Sequence, residues 1–173
     1  MKFFSGFSLK NESSLFTRYV NSSDYTVCGF SYGSIKALES VKEQLKNGRR
    51  VDRLQLFSPV FFETKSEKFK KLQLFGYKKD KVFYLKQFIE SCFYPYGVKT
   101  IEQKENSFEE LSELLNYKWV KPELVELINL GVNIEVYLGS KDKIIDVESA
   151  REFFLDVATV TYLKEANHFL QID

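Results

Sequence analysis

Histidine, cysteine and proline are scarce in this sequence, and long apolar runs are missing. Its 173 residues include one histidine, two cysteines and three prolines. Cys28 and Cys92 lie far apart in apolar surroundings, so we expect neither a disulfide nor a metal site, and a reducing cytoplasm is the expected location. No apolar run approaches the length of a membrane span. The first six residues are too short for the apolar core of a signal peptide and resemble a strand.

Neither positive nor negative charge is in excess, because 25 Lys and Arg residues are balanced by 24 Asp and Glu residues and the formal net charge is only +1. A nearly neutral chain has no overall field that would attract nucleic acid. The hydrophobic content of 44% and the charged content of 28% are ordinary for a globular protein. At this length we expect one domain with a substantial core.

The most informative stretch is Gly29-Phe30-Ser31-Tyr32-Gly33, which follows the apolar run 25–28 and precedes a helical pattern. The spacing G-x-S-x-G between a strand and a helix is typical of a nucleophile elbow. A serine on so tight a turn takes strained backbone angles, and its flanking glycines leave the space that the turn needs. An ordinary glycine-rich turn is the alternative interpretation.

Alternating strand and helix patterns predict an α/β fold with a mostly parallel sheet. We predict five strands, at 2–7, 25–29, 54–57, 134–138 and 160–163. The predicted helices begin near Asn11 and Ser34, at Pro122 and at Val147. Residues 60–120 are mostly helical in character, rich in aromatic residues, and lie between the third and fourth strands. We therefore predict a core of residues 1–59 and 121–173, with 60–120 as a helical cap of the same domain.

One face of this sheet lacks an obvious cover. Right-handed crossovers between sequential parallel strands place every connecting helix on the same face. Parallel sheets are normally covered on both faces. We therefore expect that segment 9–21 covers the other face, or that two chains pack there, so that both a monomer and a homodimer remain open. Only five residues follow His168, so we expect no helix after it.

A serine hydroxyl becomes a good nucleophile when an imidazole takes its proton and a carboxylate orients that imidazole. His168 is the only histidine, and it follows the last predicted strand. Asp142 follows the fourth strand and is the preferred carboxylate. Asp146 competes with it, but Asp146 directly precedes a helix and fits better as its N-cap. The chain order Ser31, Asp142, His168 is that of α/β-hydrolases.

The tetrahedral intermediate of acyl transfer needs two hydrogen-bond donors for its oxyanion. The N–H of Tyr32, the residue after the serine, is one candidate. The N–H of Phe7, in the loop after the first strand, is the other.

Several short stretches, distributed over nearly the full length of the chain, carry a resemblance to a known family. They are Phe3-Phe4-Ser5-Gly6-Phe7, Asn11-Glu12-Ser13, the elbow with Ile35-Lys36-Ala37, Leu56-Phe57-Ser58-Pro59, Lys71-Leu72-Gln73-Leu74-Phe75, residues 134–142 and Asn167-His168. Through them the chain resembles the short α/β-hydrolases that remove the methyl group from pimeloyl-acyl-carrier-protein methyl ester in biotin synthesis. Longer relatives have a His-Gly pair in the oxyanion loop, where this chain has Ser5-Gly6.

The resemblance implies a carboxylesterase with Ser31 as nucleophile, His168 as base and Asp142 as the residue that orients it, with no cofactor. It also implies that Phe7 and Tyr32 line the acyl site and that an acyl-carrier protein is the partner. Neither nucleic acid nor a membrane is an expected partner, because the net charge is only +1 and no apolar run is long enough to span a bilayer. Lysines are frequent between residues 63 and 86, where they would steer an acidic carrier protein; a solvated helix face is the alternative. The candidate docking residues are Lys70, Lys71, Lys78, Lys79 and Lys81.

Two other functions remain open from the sequence. One is a different serine hydrolase of this fold, either an acyl thioesterase or a general short-chain carboxylesterase. The other is a non-catalytic binding protein, which the presence of Ser31, Asp142 and His168 argues against.

Overall fold

A computed structural model describes all 173 residues. The strands are β1 (Lys2–Phe4), β2 (Leu9–Lys10), β3 (Thr26–Phe30), β4 (Arg53–Phe57), β5 (Glu102–Gln103), β6 (Asn133–Gly139) and β7 (Thr159–Leu163). The helices are α1 (Gly33–Lys46), α2 (Glu67–Lys79), α3 (Lys81–Phe93), α4 (Phe108–Asn116), α5 (Lys121–Asn129) and α6 (Val147–Leu155). No helix combines the length and the apolar character needed to cross a bilayer.

Five strands form one parallel sheet in the order β1-β3-β4-β6-β7. The short strands β2 and β5 pair antiparallel with each other and form a separate ribbon. The predicted α/β fold with a mostly parallel sheet of about five strands is confirmed. Because all five strands run in the same direction, their carboxyl ends meet at one edge, and the elbow leaves the sheet at that edge.

Successive side chains along each strand point to opposite faces of the sheet, so the hydrophobic core consists of two clusters, one on each face. Leu54, Leu56 and Val136 belong to the cluster that also contains the buried faces of α1, α5 and α6. Phe57, one position after Leu56, belongs to a second cluster on the other face. This period of two is what a strand that is buried on both faces requires.

The segment 9–21 covers the second face, which is the first of the two arrangements that the sequence predicts. The ring of Phe16 stacks on Phe57 with centroids 5.0 Å apart and lies 4.8 Å from the ring of Phe30. Phe93 and Phe169 complete the same cluster. The predicted helix in this segment is only a short 3-10 helix, Glu12–Phe16, because Asn11 adopts a left-handed conformation and its side chain caps nothing.

Gln55 attaches this segment to the middle of the sheet. Its side chain is buried, accepts a hydrogen bond from the N–H of Asn21 (2.8 Å) and donates to the carbonyl oxygen of Tyr19 (3.0 Å). It also donates to Glu135 on β6 at 2.8 Å. A buried amide with all of these partners fixes the segment in one position on the sheet.

Residues 60–120 leave the sheet after β4 and return to it at α5; we call them the inserted segment. They contain α2, α3 and α4, with α2 packed against both of the others. Ser107 and Glu110 form a capping box that begins α4, as their spacing favours. The aromatic rings of Tyr77 and Phe88 contact Phe7, so the inserted segment lies next to the loop after β1.

Candidate active site

Ser31 occupies the turn between β3 and α1 with a φ of 50°, in the left-handed region that L-residues rarely adopt. Its N–H donates to the carbonyl oxygen of Phe57 at 2.9 Å, which fixes the turn on the neighbouring strand. A Cβ at Gly29 would lie 2.5 Å from the carbonyl oxygen of Gly33, and a Cβ at Gly33 would lie 2.0 Å from that of Phe4. The two glycines are therefore required by the close approach of three backbone segments.

His168 lies beside this serine in the segment that follows β7. Its Nε2 is 3.0 Å from the Ser31 Oγ, and its Nδ1 is 2.6 Å from the Asp142 Oδ2. The imidazole is completely buried and lies 5.0 Å from the ring of Phe30. The structure thus joins three side chains from distant parts of the chain in one hydrogen-bonded row.

Asp142 is held rigidly by its own loop. Its Oδ1 accepts hydrogen bonds from the N–H groups of Ile144 (2.7 Å) and Ile145 (3.3 Å), which leaves Oδ2 for the imidazole. Asp146 does not face His168. It caps α6 through the N–H of Ser149, and a hydrogen bond from the Thr64 hydroxyl holds the pKa of Asp146 below its ordinary value.

Two residues to which sequence reasoning assigned no role hold the histidine in place. Ser58, just after β4, donates from its hydroxyl to the carbonyl oxygen of His168 at 2.8 Å. Asn167 donates to the carbonyl oxygen of Phe93 at 2.9 Å and accepts from the N–H of Phe169 at 3.0 Å. Position in the sequence is the only signal for these roles: Ser58 directly follows β4, at the edge of the sheet where the elbow lies, and Asn167 directly precedes the histidine.

The structure brings Phe7 and Tyr32 together at the serine. Their rings meet edge to face with centroids 6.4 Å apart. Neither the N–H of Phe7 nor that of Tyr32 donates to another protein group, so both donors remain free. The loop of Phe7 is fixed by the buried Glu12, whose Oε1 accepts from the N–H of Gly6 at 2.7 Å.

An apolar cavity of about 300 Å³ lies between the inserted segment and the Asp142 loop. Phe88 lines it and also contacts Phe7 at 5.9 Å between ring centroids. Ser31 itself is only 4% exposed, and neither Ser31 nor His168 lines the cavity. The other apolar residues of the cavity wall are Phe62, Phe69, Tyr84, Leu111, Leu114, Leu115 and Ile144.

The predicted docking lysines are not equivalent. Lys70 is only 6% exposed, because α2 turns Lys70 and Tyr77, seven positions apart, toward the interior. Its Nζ lies 3.6 Å from a carboxylate oxygen of Glu67, so Lys70 is less accessible to a partner than the other four lysines. Lys78 lies over the ring of Phe108, and Lys81 donates to the carbonyl oxygen of Asn106 at 2.8 Å.

Lys71 and Lys79 are exposed and enter no ion pair. Among the predicted docking lysines, Lys71 and Lys79 are therefore the two whose ammonium groups are free to bind a partner. Helix α2, which carries both lysines, and the following helix α3 expose the large apolar side chains of Leu72, Phe75, Val82 and Phe83.

Neither a metal-binding cluster nor a cysteine provides a second reactive centre. No three His, Cys, Asp or Glu side chains come together in a group that would hold a metal ion. Both cysteines are free and buried, and burial raises the pKa of Cys28 to about 12 and that of Cys92 well above its ordinary value. Neither thiol is therefore a nucleophile at neutral pH.

No protein-family model matches the chain, and no curated protein matches it in sequence. Solved structures do match it. A structure described as the naproxen esterase (carboxylesterase NP) from Bacillus subtilis superposes with a TM-score of 0.51 and 18% identity over 85% of this chain. Est816, described as an N-acyl homoserine lactone degrading enzyme, superposes with a TM-score of 0.57 and 12% identity over 98% of this chain and 86% of its own.

The chain spans about half the length, 54%, of the naproxen esterase and of a second Bacillus subtilis protein that matches with a TM-score of 0.54, at 16% identity over 85% of this chain. At identities this low, the likeness concerns the fold. The sheet order, the elbow between β3 and α1, and these superpositions agree. The chain therefore has a reduced form of the α/β-hydrolase fold.

Proposed function

We propose that the protein is a serine ester hydrolase that works by two-step acyl transfer. The observation that carries the proposal is the hydrogen-bonded row from Asp142 through His168 to Ser31. The Ser31 Oγ attacks the ester carbonyl carbon while the His168 Nε2 takes the hydroxyl proton. The bond to the alkoxy oxygen then breaks, and His168 returns that proton to the leaving alcohol.

Water resolves the acyl-enzyme in the second step. His168 takes a proton from the water, the hydroxide attacks the acyl carbon, and the bond to the Ser31 Oγ breaks as this oxygen regains its proton. The free N–H groups of Phe7 and Tyr32 would stabilise the oxyanion of both tetrahedral intermediates. Asp142 keeps the other imidazole proton on Nδ1, which leaves Nε2 able to act as the base.

Steady-state hydrolysis of an aryl ester tests this mechanism. We expect Ser31→Ala and His168→Ala each to lower kcat by at least about a thousandfold, with the fold unchanged by circular dichroism. Ser14→Ala is the matched control, because Ser14 is exposed and its hydroxyl bonds only to the carbonyl oxygen of Asn11. Activity of Ser31→Ala equal to that of the wild type would contradict the mechanism.

The substrate we propose is the methyl ester of pimeloyl-acyl-carrier protein, which gives pimeloyl-acyl-carrier protein and methanol in biotin synthesis. The sequence resemblance supports this choice. The apolar cavity beside the Asp142 loop also supports it, since a cavity of this kind accepts an acyl chain. A methyl ester at the far end of such a chain would reach Ser31 while the thioester stays toward the carrier protein.

Two measurements separate this substrate from the alternatives. Rates on pimeloyl-carrier methyl ester, on an acyl-carrier thioester and on a simple aryl ester show which bond is preferred; we expect the methyl ester to have the highest kcat/KM. The gene should also restore biotin-independent growth to a strain that lacks its own esterase, and Ser31→Ala should not. Faster cleavage of the thioester than of the methyl ester would show that the protein is a thioesterase.

An acidic carrier protein would dock on the exposed lysines of the inserted segment. Lys71 and Lys79 are the main candidates, and Lys78 and Lys81 lie beside them. We expect Lys71→Glu with Lys79→Glu to lower kcat/KM on the carrier-bound ester about tenfold at low salt and less at high salt, because association is steered by charge. Lys46→Glu on α1 is the control, and the aryl ester rate should be unchanged in all variants.

A further inference from the structure

A contact between the inserted segment and the elbow involves a carboxylate that the proposed reaction does not use. The Tyr32 hydroxyl donates a hydrogen bond to the Glu113 Oε2 on α4. The Lys36 Nζ lies 3.2 Å from both carboxylate oxygens of Glu113 and over the Tyr32 ring at 5.4 Å. We call these three residues the Glu113 clasp.

The clasp holds Tyr32 from both ends. The Tyr32 ring is 4% exposed and packs edge-on against Phe7, while its hydroxyl is bound by Glu113. Burial and the adjacent Glu113 carboxylate raise the pKa of Tyr32, so its hydroxyl remains a donor across the neutral range. The residue next to Ser31 is thereby connected to a helix that is 81 positions away in the chain.

The same helix forms a wall of the apolar cavity. Leu111, Leu114 and Leu115 of α4 are buried and line it, and Glu113 lies among them on the side that meets the elbow. Through Glu113, this wall is joined by a hydrogen bond to Tyr32, the residue next to Ser31. Loss of this bond leaves the Tyr32 hydroxyl without its carboxylate partner and removes a contact that ties α4 to the elbow.

We propose that Glu113 is a positioning residue that acts through Tyr32 to fix the acyl-chain wall of α4 relative to the nucleophile, and thereby determines acyl-chain selectivity. This inference rests on the proposed function. It requires that the wild-type enzyme prefer an ester whose acyl chain fills the cavity over an acetyl ester that does not reach it. Glu113 itself touches no reacting atom.

The experiment compares kcat/KM for p-nitrophenyl hexanoate and p-nitrophenyl acetate in each variant. We expect Glu113→Ala to reduce the hexanoate-to-acetate ratio about tenfold, mainly through KM for the hexanoate, because methylene contacts with the wall are lost. Glu113→Gln still accepts the hydrogen bond of Tyr32 and should retain most of the ratio. Glu109→Ala, an exposed glutamate on the same helix, is the control and should leave the ratio unchanged.

Tyr32→Phe removes only the hydroxyl and should lower the ratio as Glu113→Ala does, and the double variant should lose no more than either single variant. This variant also carries the test if Glu113→Ala does not fold. An unchanged hexanoate-to-acetate ratio in Glu113→Ala or in Tyr32→Phe would overturn this inference and leave the proposed function intact. An equal decrease of the ratio in Glu109→Ala would do the same. A wild-type protein that hydrolyses neither ester in a Ser31-dependent way would overturn the proposed function together with the inference.

Discussion

The Nε2 of His168 lies 3.0 Å from the Oγ of Ser31, although 137 positions separate the two residues. The sheet produces this contact, because β3 and β7 run parallel and both release their chains at the same edge. The remaining ring nitrogen faces Asp142 at 2.6 Å. Such a row can transfer a proton from the serine hydroxyl to the imidazole, which is what makes an ordinary alcohol reactive.

Asp142 and Asp146 should behave differently when each is replaced. Asp142→Asn keeps the shape of the side chain but favours the wrong imidazole tautomer, so we expect kcat for an aryl ester to fall about 10⁴-fold. Asp146→Ala removes the N-cap of α6, and we expect it to lower the free energy of unfolding by about 1 kcal/mol with kcat retained. The opposite pattern of kcat values would assign the orienting role to Asp146.

Gly33→Ala should prevent stable folding. The added Cβ would lie 2.0 Å from the carbonyl oxygen of Phe4, and backbone atoms cannot yield as a flexible side chain can. We expect a loss of about 3 kcal/mol or more in chemical denaturation. Gly97→Ala is the matched control, since a Cβ there would meet nothing within 4 Å, and its unfolding free energy should be close to that of the wild type.

Phe16 should account for much of the cover on the second face of the sheet. It is completely buried between the rings of Phe30 and Phe57, so we expect Phe16→Ala to lower the free energy of unfolding by about 3–5 kcal/mol. Phe75→Ala is the control: it removes an exposed ring on α2 and should change the free energy of unfolding by less than about 0.5 kcal/mol. Equal effects of the two substitutions would show that segment 9–21 does not pack as described.

The cysteines should resist alkylation in the folded protein. Burial raises the pKa of Cys28 to about 12 from an ordinary value of 9.0, so almost no thiolate exists at pH 8. The folded state thus favours the protonated thiol, and its contribution to stability is complete below pH 9 and is lost as the pH rises toward 12. We expect iodoacetamide at pH 8 to modify neither thiol in buffer and both in urea, as measured by intact mass; rapid modification in buffer would contradict this burial.

Much of the fold was predictable because its signals are local. The strand β4 and the elbow follow from short apolar runs and from glycine spacing, and Asp146 was separated from Asp142 by its place just before a helix. The burial of Lys70 was not predictable, because a lysine-rich helix face gives no sign of which turn faces inward. The clasp between Tyr32 and Glu113 was also missed, since it depends on how a distant helix packs.

The activation of Ser31 by His168 is tested by covalent trapping with a fluorophosphonate, followed by intact-mass and peptide mass spectrometry. We expect the wild-type protein to gain one phosphonyl group on Ser31, His168→Ala to react far more slowly, and Ser31→Ala to gain none. Labelling of another residue with Ser31 unmodified, or equal labelling of the wild type and His168→Ala, would contradict the claim that His168 activates the Ser31 hydroxyl.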